Sequence, residues 1–384
     1  MKNIFRFSEY RVRRYSFKVI IIIAALCVIG YLVLSSAMAN DVTRDSTLQK
    51  QLIGMSVGAV LMIVLSFMDY HFFFKIAPYI YIGVLVMLTL VLFIGKNVNN
   101  ATRWLNIADY AIQPSEFTKI GIIVVFAAYF NRFRESVNRP LTLGLSLLLI
   151  LGPLFLIYRE PDLSTTVVHL FIFLCLLYVA KLSYKWILGA VAVIVPVVGF
   201  IIYRLMNQAD GIIHNYQLNR ILAWLDPGSF STSGLTTQQD NSILAISSGQ
   251  LYGKGLNTTS FESVKNGNFL SEENCDFIFA VVGEELGFVG SMVIIGLLLL
   301  LVFECFKIAY RARDLGGRLV ATGMGAMIAF QGFVNIGVAV GLLPNTGLPL
   351  PFLSAGVSSI LSLFIGMGLV LNVGLQRRNS DSDW

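Results

Sequence analysis

The sequence predicts an all-α integral membrane protein of ten transmembrane helices, with both termini cytoplasmic and a large extracytoplasmic loop between helices 7 and 8. The chain is 56% hydrophobic and 13% charged, with a mean hydropathy of +0.74, whereas soluble domains carry about 25% charged residues. Its apolar runs of about 20 residues can each cross ~30 Å of hydrocarbon as a helix. The alternating segments of a β-barrel are absent, and lipid cannot satisfy open backbone, so the spans are expected to be helices.

The apolar runs define ten spans, and the basic residues orient them. The predicted spans are 18–39, 51–68, 77–95, 114–130, 141–158, 163–180, 186–206, 277–303, 320–343 and 354–375. The first lacks a small-residue cleavage site and is expected to be a retained helix rather than a removed signal peptide. An even number of spans places both termini on one side. The short loops on that side carry most of the 28 lysines and arginines, which indicates the cytoplasm and explains the +6 charge without nucleic-acid binding.

Two outer loops, 96–113 and 207–275, are longer than the other connections, and long loops in compact proteins are often functional. In the larger loop, residues 216–225 suit a helix lying in the membrane interface, and residues 241–248 form a second amphipathic stretch. Three glycines within 249–255 then allow close backbone approach. We expect residues 1–384 to form one polytopic membrane domain, with 207–275 as a loop over it. Four cysteines and three histidines show neither a disulfide framework nor metal-ligand spacing.

Asp276 lies where this polar loop meets the eighth span. Aspartate is a favoured helix N-cap, and a carboxylate at the water–lipid boundary also suits a general base; both roles are compatible. Glu284 and Glu285 lie eight and nine residues further along, which places them ~12–14 Å deeper in a continuous helix. Ionisable residues at that depth are functional candidates, and a structural ion pair is the alternative.

The fourth span opens with a polar segment, preceded by Arg103 in the 96–113 loop. Pro114 suits a first helical turn, and Glu116 suits the positive end of the helix dipole. Glu116 and Lys119 are spaced to meet on one helix face. An ordinary i,i+3 salt bridge explains this pair as well as a functional role does.

Charged residues also cluster at the outer turn between spans five and six, which contains Arg159 and Asp162. This turn is either a solvated hairpin or an anion or sugar contact beside a membrane groove. Arg220 and Lys254 add two outer cations. Because positive residues are less expected outside, a cluster of them would imply an anionic ligand.

The connection between the last two spans contains three prolines and Gly347 within residues 344–351. Such a segment cannot be regular helix. Broken backbone at membrane depth is tolerated only against protein or a watery cavity, so this proline-rich turn is expected to wall a site, with a rigid turn as the alternative.

Six motifs in this order resemble the SEDS family (shape, elongation, division and sporulation), the RodA/FtsW/SpoVE group, over roughly residues 18–375. They are Ala-Thr-Arg-Trp-Leu at 101–105, Gln-Pro-Ser-Glu at 113–116, Pro-Asp-Leu at 161–163, Gln-Leu-Tyr-Gly-Lys-Gly-Leu at 250–256, Asp-Phe-Ile-Phe-Ala at 276–280 with Gly-Glu-Glu-Leu-Gly at 283–287, and Gly-Leu-Leu-Pro at 341–344 with Gly-Leu-Pro-Leu-Pro-Phe at 347–352.

This resemblance implies a peptidoglycan glycosyltransferase that polymerises lipid II at the outer face of the bacterial cytoplasmic membrane. By the same match Asp276 is the catalytic carboxylate, and further substrate contacts fall on Arg103, Glu116, Lys119, Asp162, Lys254, Glu272 and Ser354. A class B penicillin-binding protein transpeptidase is the expected partner. No cofactor is required by the sequence, although Mg or Mn could share the charge stabilisation.

The sequence departs from the family pattern at three places. Cys275 replaces the usual threonine, Ser271 the usual proline, and residues 355–357 (Ala-Gly-Val) the usual Tyr-Gly-Gly. The carboxylate itself is retained. The short N-terminal segment favours a role in cell elongation, with division and sporulation as alternatives.

Two other functions fit parts of the sequence. A lipid II flippase or transporter would also use ten helices and buried Glu284 and Glu285, although the repeats common in transporters are missing. A non-catalytic scaffold for a transpeptidase would leave Asp276 as a helix cap, and Asp276→Asn would then be harmless.

Overall fold

A computed structural model of the chain describes residues 15–39, 41–98, 101–107, 110–189, 192, 196, 199, 224, 237–258 and 275–376. The helices are α1 (Phe17–Ala37), α2 (Arg44–Ser66), α3 (Tyr70–Lys75), α4 (Ala77–Ile94), α5 (Pro114–Arg132), α6 (Pro140–Arg159), α7 (Leu163–Val179), α8 (Thr237–Ser248), α9 (Ile278–Tyr310), α10 (Leu315–Ala339) and α11 (Val357–Leu375). The strands are β1 (Lys96–Val98), β2 (Ala101–Ile107) and β3 (Tyr110–Ile112).

The expectation of a mostly helical membrane protein is confirmed. Among the described residues, seven helices are long and apolar enough to cross a membrane, namely α1, α2, α4, α6, α9, α10 and α11, and α7 is a shorter apolar helix. Helix α5 occupies the predicted span 114–130. The predicted span 186–206 and the interfacial helix at 216–225 lie almost wholly outside the described residues, whereas α8 contains the predicted amphipathic stretch 241–248.

Helices α10 and α11 form the centre of the bundle. In their most apolar windows 72% and 78% of the residues are buried, against 22% in α4. Side chains such as Phe93, Phe155 and Phe303 are largely exposed on the outer helices, as expected where a helix faces lipid.

The loop 96–113 is not irregular, and here the all-α expectation was wrong. Its strands form an antiparallel sheet in the order β1-β2-β3, with Leu105 paired to Ile112 and Ile107 to Tyr110. These residue types favour strands, and the ladder satisfies backbone groups at the end of the bundle. The sheet fixes the position of Arg103 in the middle of β2.

Helix α9 is not one continuous helix, which corrects the predicted span 277–303. Gly287 has φ 66° and ψ −164° and breaks it. Residues 288–310 alone would extend roughly 34 Å as a helix, enough to cross the membrane. Glu285 accepts a hydrogen bond from Ser36, in the last turn of α1. Glu284 and Glu285 therefore lie on the segment of α9 before the break, and Glu285 lies beside the last turn of α1. The depth of ~12–14 Å stays a prediction.

At the opposite end of the bundle, His71 joins two loops. Its Nδ1 lies 2.7 Å from Asp69 Oδ1 and its Nε2 3.2 Å from Asp314 Oδ2. Burial lowers the pKa of His71, but hydrogen bonds to the Asp314 and Asp69 carboxylates outweigh it and raise the pKa to about 9. Asp69 and Asp314 also cap the N-termini of α3 and α10. We call this group the His71 bridge.

Candidate active site around Asp276

Asp276 precedes α9 and lies against the proline-rich turn. The N-cap position of α9 is Phe277, so the interpretation of Asp276 as the helix cap was wrong. Asn335 Nδ2 donates to the backbone oxygens of Asp276 and Leu348, both at 2.8 Å. Gly347 has φ 74°, and a Cβ there would lie 3.2 Å from Asp276 Oδ2. Asn335 thus joins the turn to the Asp276 backbone. The turn lies so close to the Asp276 carboxylate that position 347 has little room for a side chain.

Ser354 holds the residue before Asp276 in place. Its hydroxyl donates to the Cys275 carbonyl at 2.6 Å and accepts from the Leu350 amide at 2.8 Å. Gln51 of α2 donates to the Ser354 carbonyl at 3.2 Å and accepts from the Gly356 amide at 3.1 Å. The Ser354 hydroxyl is therefore already bonded to backbone, which indicates a role in shaping the site.

Glu116 and Lys119 form the expected i,i+3 ion pair, but the pair is buried. Lys119 Nζ lies 2.8 Å from Glu116 Oε1, and the side chains are only 1% and 3% exposed. Glu116 Oε2 has no hydrogen-bond partner among the described residues. A buried ion pair rarely adds net stability over apolar residues, so this pair stays a candidate functional group.

The structure brings Arg103 and Asp162 together at the α6–α7 hairpin. Arg103 Nε donates to the Glu160 carbonyl at 3.2 Å, the guanidinium also donates to the Pro161 carbonyl, and Nη1 lies 3.9 Å from Asp162 Oδ2. Asp162 caps α7 by accepting from the amide and hydroxyl of Thr165, at 3.0 and 2.8 Å. Arg159 is exposed and forms no ion pair with a described residue.

Glu160 lies in the outer turn that the sequence singled out, but sequence reasoning did not select it as a candidate contact. It is 0% exposed, and neither carboxyl oxygen has a hydrogen-bond partner among the described residues. Burial, and then the nearby Asp162 charge, raise the pKa of Glu160 to about 8, with Arg103 opposing. A neutral carboxyl group beside Arg103 can donate as well as accept hydrogen bonds.

Lys254 lies on a strap, residues 249–257, that closes the break in α9. The Lys254 and Gly255 amides donate to the Glu284 and Glu285 carbonyls, both at 2.9 Å. On the other side of the break, the amides of residues 288 and 289 donate to the carbonyls of residues 250 and 251, at 2.9 and 3.1 Å. The predicted close backbone approach of this glycine-rich segment is thus observed.

The strap also brings its side chains to the two glutamates. Lys254 Nζ lies 2.8 Å from Glu284 Oε1, with 19% and 1% of the two side chains exposed. The Ser36 hydroxyl donates to Glu285 at 2.5 Å and accepts from the Asn257 amide at 2.8 Å. Glu284 is therefore part of an ion pair, as one of the sequence interpretations expected.

Several buried polar atoms at this end of the bundle have hydrogen-bonding capacity that the described residues do not use. Besides the carboxyl oxygens of Glu116 and Glu160, they are Ser115 Oγ, Gln331 Nε2, Asn335 Oδ1 and Thr346 Oγ1. Such atoms are uncommon in protein interiors, and together they suit a polar ligand. Gln331 and Asn335 could have been found in the sequence as polar residues four apart in the apolar α10.

Two of the predicted contacts, Arg220 and Glu272, lie outside the described residues. Within the described ranges, no three histidine, cysteine or carboxylate side chains converge as metal ligands.

Comparison with known proteins gives consistent matches over nearly the whole chain. The sequence model of the FtsW/RodA/SpoVE family, described as a cell cycle protein, matches residues 17–379. The probable peptidoglycan glycosyltransferase FtsW of Trichlorobacter lovleyi is 33% identical over 378 residues, covering 95% of this chain and 94% of that protein. The peptidoglycan glycosyltransferase MrdB of Escherichia coli is 33% identical over 360 residues, covering 94% and 93%.

Solved structures match equally broadly. A structure described as showing structural coordination of polymerization and crosslinking by a peptidoglycan synthase complex superposes with a TM-score of 0.77 at 28% identity, covering 94% of this chain and 97% of that one. The rod shape determining protein RodA of Thermus thermophilus gives a TM-score of 0.68 at 28% identity, covering 95% and 98%.

Proposed function

Because the chain belongs to the FtsW/RodA/SpoVE family, we propose that it polymerises lipid II with Asp276 as the general base. It is a membrane-embedded SEDS peptidoglycan glycosyltransferase. One observation carries the assignment of Asp276. Its carboxylate lies beneath the proline-rich turn at the start of α9, and Asn335 joins the two through backbone carbonyls. A carboxylate held in this way has a defined position relative to a bound sugar.

The reaction needs one base and a stabilised leaving group. The 4-hydroxyl of the acceptor GlcNAc loses its proton to Asp276 as its oxygen attacks C1 of the donor MurNAc. The bond from C1 to the undecaprenyl pyrophosphate breaks, and the leaving group takes the electron pair. A single inversion converts the α-linked donor into a β-1,4 product, which requires no covalent intermediate with the enzyme.

We assign Arg103, Lys119 and Lys254 to stabilise the charge that builds on the pyrophosphate. Each cation is already positioned by a protein acceptor, namely the hairpin carbonyls, Glu116 and Glu284. Charges fixed before the reaction stabilise a transition state without the cost of reorganisation. We also propose contacts from Glu116, Asp162 and Glu160, and from Arg220 and Glu272 in the loop 207–275.

For the whole chain we propose ten spans in the bacterial cytoplasmic membrane, with both termini inside and the loop 207–275 outside. The seven long apolar helices and the shorter α7 support this arrangement, as does the distribution of basic residues. In this orientation Asp276, Arg103 and Lys254 face the outer side, where lipid II carries its sugar.

We further propose a class B penicillin-binding protein transpeptidase as partner. Support comes from the structural similarity to the peptidoglycan synthase complex that coordinates polymerization and crosslinking. Glu284 and Glu285, which the flippase alternative would use, are bonded to Lys254 and Ser36, and these contacts favour a structural role for the two glutamates.

The test is polymerisation of purified lipid II by the native protein and by Asp276→Asn, each with and without a class B transpeptidase. We expect glycan chains from the native protein and at least a hundredfold less from Asp276→Asn, since general bases contribute about 10²–10⁴-fold.

Asp240→Asn is the matched control, because Asp240 is an exposed aspartate in the first turn of α8, and it should keep full activity. Equal product from native protein and Asp276→Asn would remove Asp276 from catalysis. No product from the native protein, even with the partner, would contradict the polymerase function.

A further inference from the structure

His169 forms two hydrogen bonds inside the bundle and touches none of the proposed reacting groups. The side chain is 0% exposed on α7. Its Nδ1 lies 2.7 Å from the carbonyl oxygen of Thr165 and its Nε2 2.8 Å from the hydroxyl of Thr118 on α5. Since a carbonyl oxygen only accepts, Nδ1 carries the hydrogen of the first bond. The ring therefore joins two helices through its two nitrogens.

The two partners of His169 are each next to a group proposed to contact substrate. Thr165 donates its amide and hydroxyl to Asp162, so His169 bonds the same turn of α7 that holds this carboxylate. Thr118 precedes Lys119, whose ammonium is paired with Glu116. A continuous line of polar contacts thus runs from Asp162 through Thr165, His169 and Thr118 to the segment of α5 that carries the buried ion pair.

We propose that His169 is a positioning residue, which fixes Asp162 on α7 relative to the Glu116–Lys119 pair on α5 through its bond to Thr118. This inference rests on the proposed function, because both positioned groups are assigned to the polymerase site. Both nitrogens of the ring are already bonded to protein groups, so the ring itself has no nitrogen left to bind a sugar.

The bond between His169 and Thr118 matters because apolar packing alone fixes the position of α7 relative to α5 less tightly. Around His169 the two helices meet through side chains such as Phe126 and Phe173, whose ring centroids lie 4.8 Å apart. Apolar side chains can slide against each other at small cost, whereas a buried hydrogen bond fixes distance and direction. A displacement of about 1 Å at a reacting group can lower a rate about 100-fold.

Three variants separate the bond between helices from the bond within α7. His169→Gln places an amide where Nε2 lies and can retain the bond to Thr118. His169→Asn places an amide where Nδ1 lies and can retain only the bond to the Thr165 carbonyl. His169→Leu removes both bonds and keeps an apolar side chain of related size.

We expect His169→Leu and His169→Asn to lower kcat for lipid II polymerisation about tenfold with KM within about twofold, and His169→Gln to stay within about threefold of the native kcat. Thermal unfolding is measured on the same samples. Three results would overturn the proposal. They are a native kcat in His169→Leu, a kcat that is recovered in His169→Asn instead of His169→Gln, and losses of kcat that follow only the fall in melting temperature.

Thr118 provides the second half of the test. Thr118→Val removes the hydroxyl, which lies 2.8 Å from the Ser115 carbonyl within α5 as well as 2.8 Å from His169 Nε2. If the bond to His169 carries the effect, Thr118→Val combined with His169→Leu should lose no more activity than the worse single variant. Additive losses would contradict it. Thr89→Val is the control, because the Thr89 hydroxyl bonds only within its own helix, to Leu85 at 2.7 Å.

Hydrogen–deuterium exchange distinguishes failure of this proposal from failure of the proposed function. It needs no activity, so it can be measured even if the native protein makes no glycan. We expect the amides of residues 163–168 to exchange faster in His169→Leu, which loses both bonds, than in the native protein. Equal exchange in these two proteins would show that His169 does not hold this turn, whatever the activity.

Discussion

At the scale of single residues, the Glu116–Lys119 pair shows how burial changes the meaning of a common sequence pattern. Glutamate and lysine three residues apart usually form a weak surface pair, worth about 0.3–0.5 kcal/mol on a helix. Here both side chains are almost fully buried, so removing one partner leaves the other as an uncompensated charge.

We predict that Lys119→Met destabilises the protein by about 3–5 kcal/mol and abolishes polymerisation. Glu116→Gln combined with Lys119→Met should recover most of the stability but not the activity. Thermal unfolding in detergent and lipid II polymerisation check the two effects.

Lys307→Met is the matched control for that experiment, because Lys307 and Glu304 form an i,i+3 pair at 3.1 Å with 31% of the lysine side chain exposed. It should cost less than about 1 kcal/mol. Equal losses of stability in Lys119→Met and Lys307→Met would show that burial of the Glu116–Lys119 pair does not determine the cost of removing the lysine.

Sequence patterns identified charged residues better than neutral ones. Asp276, Arg103, Asp162 and Lys119 could be selected because a charge in or beside an apolar span is uncommon. Asn335 and His169 act through contacts with residues 59 and 51 positions away in the chain. Such pairings follow from the packing of helices, so the sequence of either segment alone could not predict them.

At the scale of elements, the break in α9 and the strap that closes it form one unit. The strap backbone forms hydrogen bonds with the amides and carbonyls that the break in α9 leaves without helical partners. Non-helical backbone in a membrane protein needs such partners, because lipid supplies none. The glycines of the strap indicated close approach. The break was not predicted, because a single glycine in an apolar run is usually tolerated within a helix.

We predict that Gly287→Ala disrupts this unit and lowers both stability and polymerisation. Gly287 has φ 66°, and a Cβ there would lie 2.3 Å from the backbone nitrogen of Gly253. The positive φ alone costs a side chain about 1–2 kcal/mol, and the backbone contact adds to it. Loss of Lys254 from its position would reduce activity further.

Gly296→Ala in the same helix is the control, since no atom lies within 4 Å of a Cβ there. Replacing a helical glycine by alanine is worth about 0.5–1 kcal/mol in favour of alanine. Melting temperatures that fall equally in the two variants would contradict the role assigned to Gly287.

At the scale of the whole molecule, hydropathy predicted the membrane class and most of the spans, whereas the sheet at 96–112 was missed. Strands of three to seven residues produce little periodic signal. Their formation depends on pairing with each other at the end of the bundle, which composition does not reveal.

We predict that the Asp276 end of the bundle faces outward. In spheroplasts of a strain that makes the protein with Cys275→Ser, a membrane-impermeant maleimide should label Tyr252→Cys, at a position 78% exposed on the strap. It should not label Glu135→Cys, where the native side chain is 88% exposed at the opposite end. After permeabilisation both should react, and the reverse pattern would invert the proposed orientation.

The His71 bridge has a consequence for how the enzyme tolerates changes in acidity. The pKa of His71 is raised from 6.5 to about 9 in the folded protein. The stabilisation that protonated His71 gives is therefore fully present at a pH below its pKa in the unfolded chain, and it is lost as the pH rises through about 9. Most histidines change charge between about pH 5 and 8, whereas this one stays cationic throughout that interval. The loops before α3 and α10 therefore stay bonded through His71 in acid-stressed and neutral cells alike, and His71 has a structural role rather than that of a pH sensor.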